Sequence, residues 1–437
     1  MPVAFSLRKA IAGAGLALAA VACQSNSTAS ETTTNNRDLL PEADASGLPP
    51  GLKPGPWRGV LSAQGQEIPF LFDVSTADNN QKPTVTLRNG EERLKLDEIT
   101  SAGDSTTIRL GVFDAALVVR ADGAGKMTGH WVKYDGKEPF WVPFTATRGE
   151  QPLFPTEKNS SPEVSGTWRV TFTDKDGKTY PAVGIFEQRA ADVTGTFLTS
   201  TGDYRYLAGG IDGQQFRMST FDGSHGFLFT ATLQPNGTLK GDFYSGKSGH
   251  ETWTAKLDPE AKLPDANALT GMKPGQKRLD FKFPSIYEGG SISPTDPKYK
   301  GKVVVVQILG SWCPNCMDET NFLASWYEKN KQRGVEIIGL GYERTPDQKL
   351  AAQKLLKMKE RLNVGYDLAV AGVANKDSAS KSLPQLAQVL AFPTTIFLDR
   401  KGEVRKIHTG YSGPGTGKYY EQEVAEFNKT IDQLLKE

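Results

Sequence analysis

The stretch that most constrains this 437-residue chain is Val303-Val304-Val305-Val306-Gln307-Ile308-Leu309, bounded by Lys302 and Gly310. A short run that is nearly all apolar and mostly β-branched reads as a central strand buried on both faces. Gly310-Ser311-Trp312-Cys313-Pro314-Asn315-Cys316 follows at once. Met317 through Lys331 then has helical composition, with Phe322, Leu323, Trp326 and Tyr327 at mixed three-to-four spacing. Two cysteines therefore stand where a strand hands over to a helix N-terminus. Orphan backbone N–H groups and the positive end of the helix dipole favour a thiolate there, and the thiolate is the attacking species in disulfide exchange. Cys313 is expected to be an exposed nucleophile. Cys316, one turn further in, is expected to be the resolving thiol that closes a Cys313–Cys316 redox disulfide.

A bare Cys-x-x-Cys is equally half of a zinc site, but zinc needs about four ligands. The chain has one other cysteine, Cys23, and four histidines scattered singly (His130, His225, His250, His408). The strand–motif–helix context favours redox chemistry. With so few cysteines, that chemistry is catalytic rather than a structural framework.

Trp312-Cys313-Pro314-Asn315-Cys316 and Phe392-Pro393-Thr394-Thr395-Ile396-Phe397-Leu398-Asp399 resemble the two signatures of the thioredoxin superfamily. The nearest branch is the TlpA-like, cell-envelope thiol–disulfide oxidoreductases, and the likeness covers about residues 268–437. It implies a cis Phe392–Pro393 bond facing the cysteines, which exposes the backbone at Phe392 to an extended substrate segment. A strand-start proline is the alternative reading. Glu319 lies three residues beyond Cys316, on the face of the resolving thiol. Relatives in this branch carry a glutamate at that offset, resembling a proton acceptor for the buried cysteine; a solvated helix glutamate is the plainer reading. Thioredoxin usually has a buried acid six residues before its first cysteine, and Gln307 holds that place here. The expected catalytic set is Cys313, Cys316, Glu319 and Pro393. Trp312, as a wall over the motif, and Phe392 are expected on the substrate side.

Pro314-Asn315 contains no histidine, which strongly oxidising relatives use to stabilise the thiolate. The dithiol is then the better reductant, so reduction of client protein disulfides is expected. Such a role needs a membrane thiol-electron donor. No nucleotide, flavin or metal motif occurs, so no cofactor is expected. Two other classes stay open: a thiol peroxidase, though no proline stands at the required offset before Cys313, and an envelope binding protein whose β domains do the work.

The N-terminus reads as an export signal. Arg8-Lys9 precedes an apolar stretch, Ala10 to Ala22, too short to span a bilayer. Ala20-Val21-Ala22-Cys23 resembles a lipobox, which implies lipidation of Cys23 as a membrane anchor; simple cleavage after Ala-x-Ala is the alternative. Gln24 is not the aspartate that retains bacterial lipoproteins at the inner membrane. An envelope location is expected, lipid-anchored on the periplasmic side of the outer membrane. Residues 24–55, rich in Ser, Thr, Asn, Pro and Gly, read as a flexible tether. A net charge of +1 supplies no field to attract nucleic acid.

From Trp57 short alternating strands recur, with Asn89-Gly90 and Asp122-Gly123 as hairpin signals. The order repeats after about 110 residues. Trp57-Arg58-Gly59-Val60 answers to Trp168-Arg169-Val170-Thr171, and Lys126-Met127-Thr128-Gly129 to Thr238-Leu239-Lys240-Gly241. Phe113-Asp114 answers to Phe221-Asp222, and the tail from Trp141 to Trp253-Thr254-Ala255. The expected fold is multidomain: duplicated all-β meanders of six to eight strands, barrel or sandwich, over 56–150 and 163–258, followed by an α/β thioredoxin-like domain over 268–437. Leu279–Phe283 is expected as an extra edge strand, 346–362 and 383–391 as helices, and Tyr419–Leu435 as a terminal helix.

Overall fold

The computed structural model describes residues 48–76, 82–134, 136, 138–156 and 162–437. The export signal, Cys23 and most of the tether lie outside them. Two antiparallel meanders of nine strands each come first, so each is longer than expected. In the first, Gly55–Ala63 pairs with both the second strand, Gln66–Thr76, and the last, Phe140–Arg148. Its two ends, Glu92–Leu96 and Ile99–Ala102, follow one another in the chain without pairing, so the ring stays open. In the second, Gly166–Thr173 pairs with Gly249–Leu257, and Thr179–Arg189 pairs with Asp192–Thr199, which closes the ring. Both meanders are barrel-like, each around its own apolar core.

The two meanders share local features at corresponding places. The indole N–H of Trp57 donates to Lys53 O at 2.9 Å, and that of Trp168 to Val164 O at 3.0 Å, each four residues back. Gly129 and Gly241 occupy matching register positions, opposite Phe144 and Trp253. A methyl group on either would sit about 2 Å from a neighbouring strand's carbonyl, Val118 O or Thr230 O. The close strand approach explains both glycines. One correspondence fails. Register against the first strand matches Trp253 with Phe144, not Trp141, which is 56 % exposed while Trp253 is buried. The indole and the phenyl ring fill the same core position, while Trp141 points outward.

The α/β part is a five-stranded sheet in the order β3-β2-β1-β4-β5: β1 (Val303–Leu309), β2 (Val335–Glu343), β3 (Asp367–Val373), β4 (Thr394–Leu398) and β5 (Val404–Thr409). The first three are parallel; β4 is antiparallel to β1, and β5 is antiparallel to β4. Helices α1 (Pro314–Asn330), α2 (Gln348–Arg361) and α4 (Lys418–Leu434) share one apolar cluster with the sheet, and α3 (Lys376–Ser382) joins the other. The helix expected over 383–391 is displaced to α3. Asn375 caps α3 by accepting from Ser378 N at 2.9 Å, and Leu383 precedes Pro384, which disfavours helical backbone. Of the edge strand expected over Leu279–Phe283 only Phe283 is extended in a ladder, opening the two-residue strand Phe283–Pro284 that pairs with Ser291–Ile292. Arg278 makes an isolated bridge to Glu403, and the segment's contribution is to bury Leu279 and Phe281.

The three parts pack into one compact unit; Lys354 and Arg361 of α2 reach Asp114 and Glu98 of the first meander, and one side chain touches all three parts. Arg205, 3 % exposed, extends from the second meander. It contacts Asp318 of α1 and Glu92 of the first meander, and donates to Pro314 O at 3.1 Å. Asp222 Oδ2 lies 3.8 Å from its Nε. Its backbone sits at φ 59°, a left-handed conformation costly for a non-glycine residue, held by Arg205 N donating to Asp203 Oδ1. Burial of the guanidinium is unfavourable, but these carboxylates outweigh it and hold its pKa well above the ordinary value.

Two stability effects are expected. Arg205→Leu strands buried carboxylates and should cost about 3–5 kcal/mol, seen as a lowered melting temperature together with faster alkylation of Cys313. Gly241→Ala forces backbone against backbone and should cost about 1–3 kcal/mol in a denaturant titration.

Candidate active site

The carboxyl end of β1 delivers the motif. A Cβ at Gly310 would meet Trp312 Nε1 at 2.2 Å, so only glycine lets the indole fold back over the strand end. That indole donates to Tyr342 O at 2.8 Å, stands edge-on to Phe392 and lies under the Arg344 guanidinium, 4.4 Å from the ring centre. Ser311 donates both its N–H and its hydroxyl to the Glu343 carboxylate, each at 2.8 Å. Burial pushes Glu343 up to about 7 against those bonds. β2 therefore fixes the turn that presents the cysteines.

Cys313 is the N-cap of α1, and Pro314 follows it at a first-turn position that needs no N–H. Its sulfur accepts from Cys316 N at 3.3 Å and lies 3.4 Å from Phe392 O, to which it donates. The Phe392–Pro393 bond is cis. The four residues that the sequence singles out at two distant places thus meet. Both thiols are free; Cys316 is fully buried, and burial with the adjacent Cys313 drives its pKa well above the usual thiol range.

Glu319 is not the solvated helix residue of the plainer reading. It is 4 % exposed, and its carboxylate accepts from Thr395 Oγ1 at 2.5 Å and from Gln307 Nε2 at 2.7 Å. Burial raises it to about 7 in spite of those bonds. Gln307, standing where thioredoxin has an acid, is thus a partner of the glutamate.

One expectation fails. Cys313 is only 7 % exposed, because the β meanders lie over it. Ser224 Oγ donates to Trp312 O at 3.1 Å, and Asn315 Nδ2 donates to Asp203 O at 3.2 Å. Asp203 also accepts from Gly413 N at 2.7 Å, and Val112 and Phe113 of the first meander enter the same apolar cluster as both cysteines. What stays open beside the motif is a cleft of about 190 Å³ between the Thr199–Arg205 hairpin, with His225 and Phe227, and the edge formed by Asn315 and Phe392.

Sequence reasoning missed Arg205, Asp203, Ser224 and Glu343. Each belongs to a loop or strand end without local chemical pattern; contact across long sequence separations gives them their place. Glu343, at the carboxyl end of a buried strand, was the one a reader could have suspected.

Residues 273–426 match the Redoxin family model. Similar relatives include the thiol-disulfide oxidoreductase ResA of Bacillus thuringiensis subsp. konkukian (strain 97-27), 30 % identical over 117 residues, 27 % of this chain and 59 % of the relative. ResA of Bacillus subtilis (strain 168) is 28 % identical over 111 residues, 25 % and 55 %. The chain thus spans somewhat over half the length of these relatives. Similar solved structures include a thiol:disulfide interchange protein of the thioredoxin family from Chlorobium tepidum TLS (16 % identity, 38 % of this chain and 99 % of that one, TM-score 0.28). Another is a secreted thiol-disulfide isomerase from Corynebacterium glutamicum (17 %, 42 % and 97 %, TM-score 0.28). The C-terminal part of this chain, a thioredoxin-like α/β domain, is thus similar to the Redoxin family and to the ResA thiol-disulfide oxidoreductases, and it is joined to two barrel-like β meanders.

Proposed function

We propose that the protein is a thiol–disulfide oxidoreductase of the bacterial cell envelope that reduces protein disulfides through the Cys313/Cys316 dithiol. The observation that carries this reading is the Cys313 sulfur at the N-cap of α1, 3.4 Å from the carbonyl that precedes a cis proline. The Cys313 thiolate attacks one sulfur of a client disulfide, and the other client sulfur leaves as a thiolate. Cys316 then gives up its proton and attacks Cys313, releasing the second client thiol and leaving a Cys313–Cys316 disulfide. Two electrons pass to the client, and a membrane thiol donor restores the dithiol. Glu319, one turn beyond Cys316 and raised to about 7, is the acceptor for the resolving proton. Phe392 and Pro393 offer backbone to an extended client segment, with Trp312 as the adjoining wall. The client approaches through the cleft at Asn315 and Phe392, so a narrow, extended segment fits where a folded surface does not.

Lipidation of Cys23 and attachment to the outer membrane belong to the same reading. Among the described residues no helix is long and apolar enough to cross a membrane.

Wild type should reduce insulin disulfides, Cys313→Ser should not, and Cys316→Ser should accumulate mixed disulfides visible on non-reducing gels; turnover by Cys313→Ser would refute the assignment. The pH dependence follows from Glu319. Below about 7 it keeps its proton and cannot accept another; above, it can. The rate of release from the mixed disulfide should therefore rise as pH passes upward through about 7. Glu319→Gln should flatten that limb and slow the release step by about 10²-fold, measured in single-turnover quench experiments.

A further inference from the structure

A proton taken up by Glu319 has to leave again, and the carboxyl itself is buried beneath α1 and β4. Behind it lies a small cavity of about 20 Å³, lined by Glu319, Thr395, His408, Tyr411 and Glu423 among others. That is room for about one water molecule, and the lining is polar enough to hold one. On the far side a larger cleft of about 340 Å³ opens between α4, the linker at Pro264 and Ala266, and the second meander at Leu198. His408, Tyr411, Glu423 and Glu426 line both spaces, so they form the partition between inner cavity and outer cleft; Glu426 is paired with Lys406 at 2.8 Å.

The partition is built for proton exchange. His408 pairs in register with Thr395, the residue whose hydroxyl binds Glu319. His408 Nε2 is 2.9 Å from Glu423 Oε1, and Nδ1 is 3.0 Å from Asn267 Oδ1. The two side chains keep 15 and 18 % of their surface exposed, enough to meet solvent. Among the described residues the buried Tyr411 hydroxyl has no well-formed hydrogen-bond partner, as expected of a group that binds cavity water. The charged groups around His408 are Glu423 and Glu426 from α4, Glu319 from α1 and Lys406 from its own strand. Burial opposes its ionisation, but Glu423, with Glu319 beyond, outweighs that and raises its pKa.

We infer that His408 and Glu423 are the proton exit of the active site, carrying the proton between Glu319, through the cavity water, and the outer cleft. The inference rests on the oxidoreductase reading above. In the resolving step the Cys316 proton moves to the Glu319 carboxylate as the sulfur pair forms and the client thiolate departs. Glu319 then returns the proton to bulk water through the His408–Glu423 pair, and the departing thiolate takes one from solvent, so protons balance without a further reactant. When the disulfide is reduced again the path runs inward. His408 and Glu423 touch no substrate; they act through Glu319.

The test is single-turnover release from a preformed mixed disulfide, in weak buffer, across pH 5–9, with wild type, His408→Gln and Glu423→Gln. Mixed-disulfide formation at Cys313 should be unchanged in both variants. Release should slow roughly tenfold, with the limb near pH 7 displaced, and added imidazole should restore it toward wild type, as a diffusible proton carrier replaces the lost one. Release at the wild-type rate and pH profile in both variants would overturn the proposal. So would slowing that imidazole does not relieve, since that is the mark of a packing defect. If wild type itself forms no mixed disulfide, the parent reading fails and the exit path with it. Should His408→Gln not fold, Glu423→Gln, closer in shape to the native residue, carries the same outcomes.

Discussion

Arg205 is the point at which the three parts of this chain become one molecule. A buried guanidinium is several kcal/mol unfavourable unless its surroundings return what hydration supplied. Here Glu92 comes from the first meander, Asp222 from the second and Asp318 from α1, with the Pro314 carbonyl beside them. No single part holds all the partners, so the charge is satisfied only in the docked arrangement. Of these partners Pro314 opens the helix that Cys313 caps, and Asp318 stands one turn further along it, just past Cys316. Whatever fixes the docking therefore also fixes the redox motif.

The same contact has a cost in access. Ser224, Asp203 and Phe113 reduce Cys313 to a narrow opening. The β meanders thus form one wall of the entrance at Thr199–Arg205 and Phe227. On the proposed reading, selection among clients depends on the cross-section of that opening and on the groups on its wall. One turn beyond Cys316 along α1 the buried Glu319 lines a second, smaller space, whose lining includes neither cysteine nor any residue of the entrance cleft.

Much of this was legible in the chain itself. The seven residues of β1 are buried without exception, as an unbroken β-branched run demands. The paired glycines Gly129 and Gly241, and Trp57 with Trp168, marked the duplication correctly because each does the same local job in its copy. Trp141 was matched wrongly to Trp253, since identity of residue says nothing about which face of a strand it takes, and that is decided by register. The helix placed over 383–391 failed because the backbone of Gln385 to Gln388 bonds to the segment 270–273 instead.

What the sequence by itself determined is everything carried by neighbours: a buried strand, a Cys-x-x-Cys opening a helix, a glutamate one turn along it, and two copies of a meander. These depend on spacing of a few residues, and such spacing is set by the geometry of strand and helix whatever the rest of the chain does. Only the tertiary structure decided that Cys313 is covered, that Arg205 unites the three parts, and that Glu319 faces His408 and Glu423 through a cavity. Those facts join residues up to two hundred positions apart. They arise from how whole surfaces dock, where burial energy and the pairing of buried charges act together, and no local pattern in the chain records them.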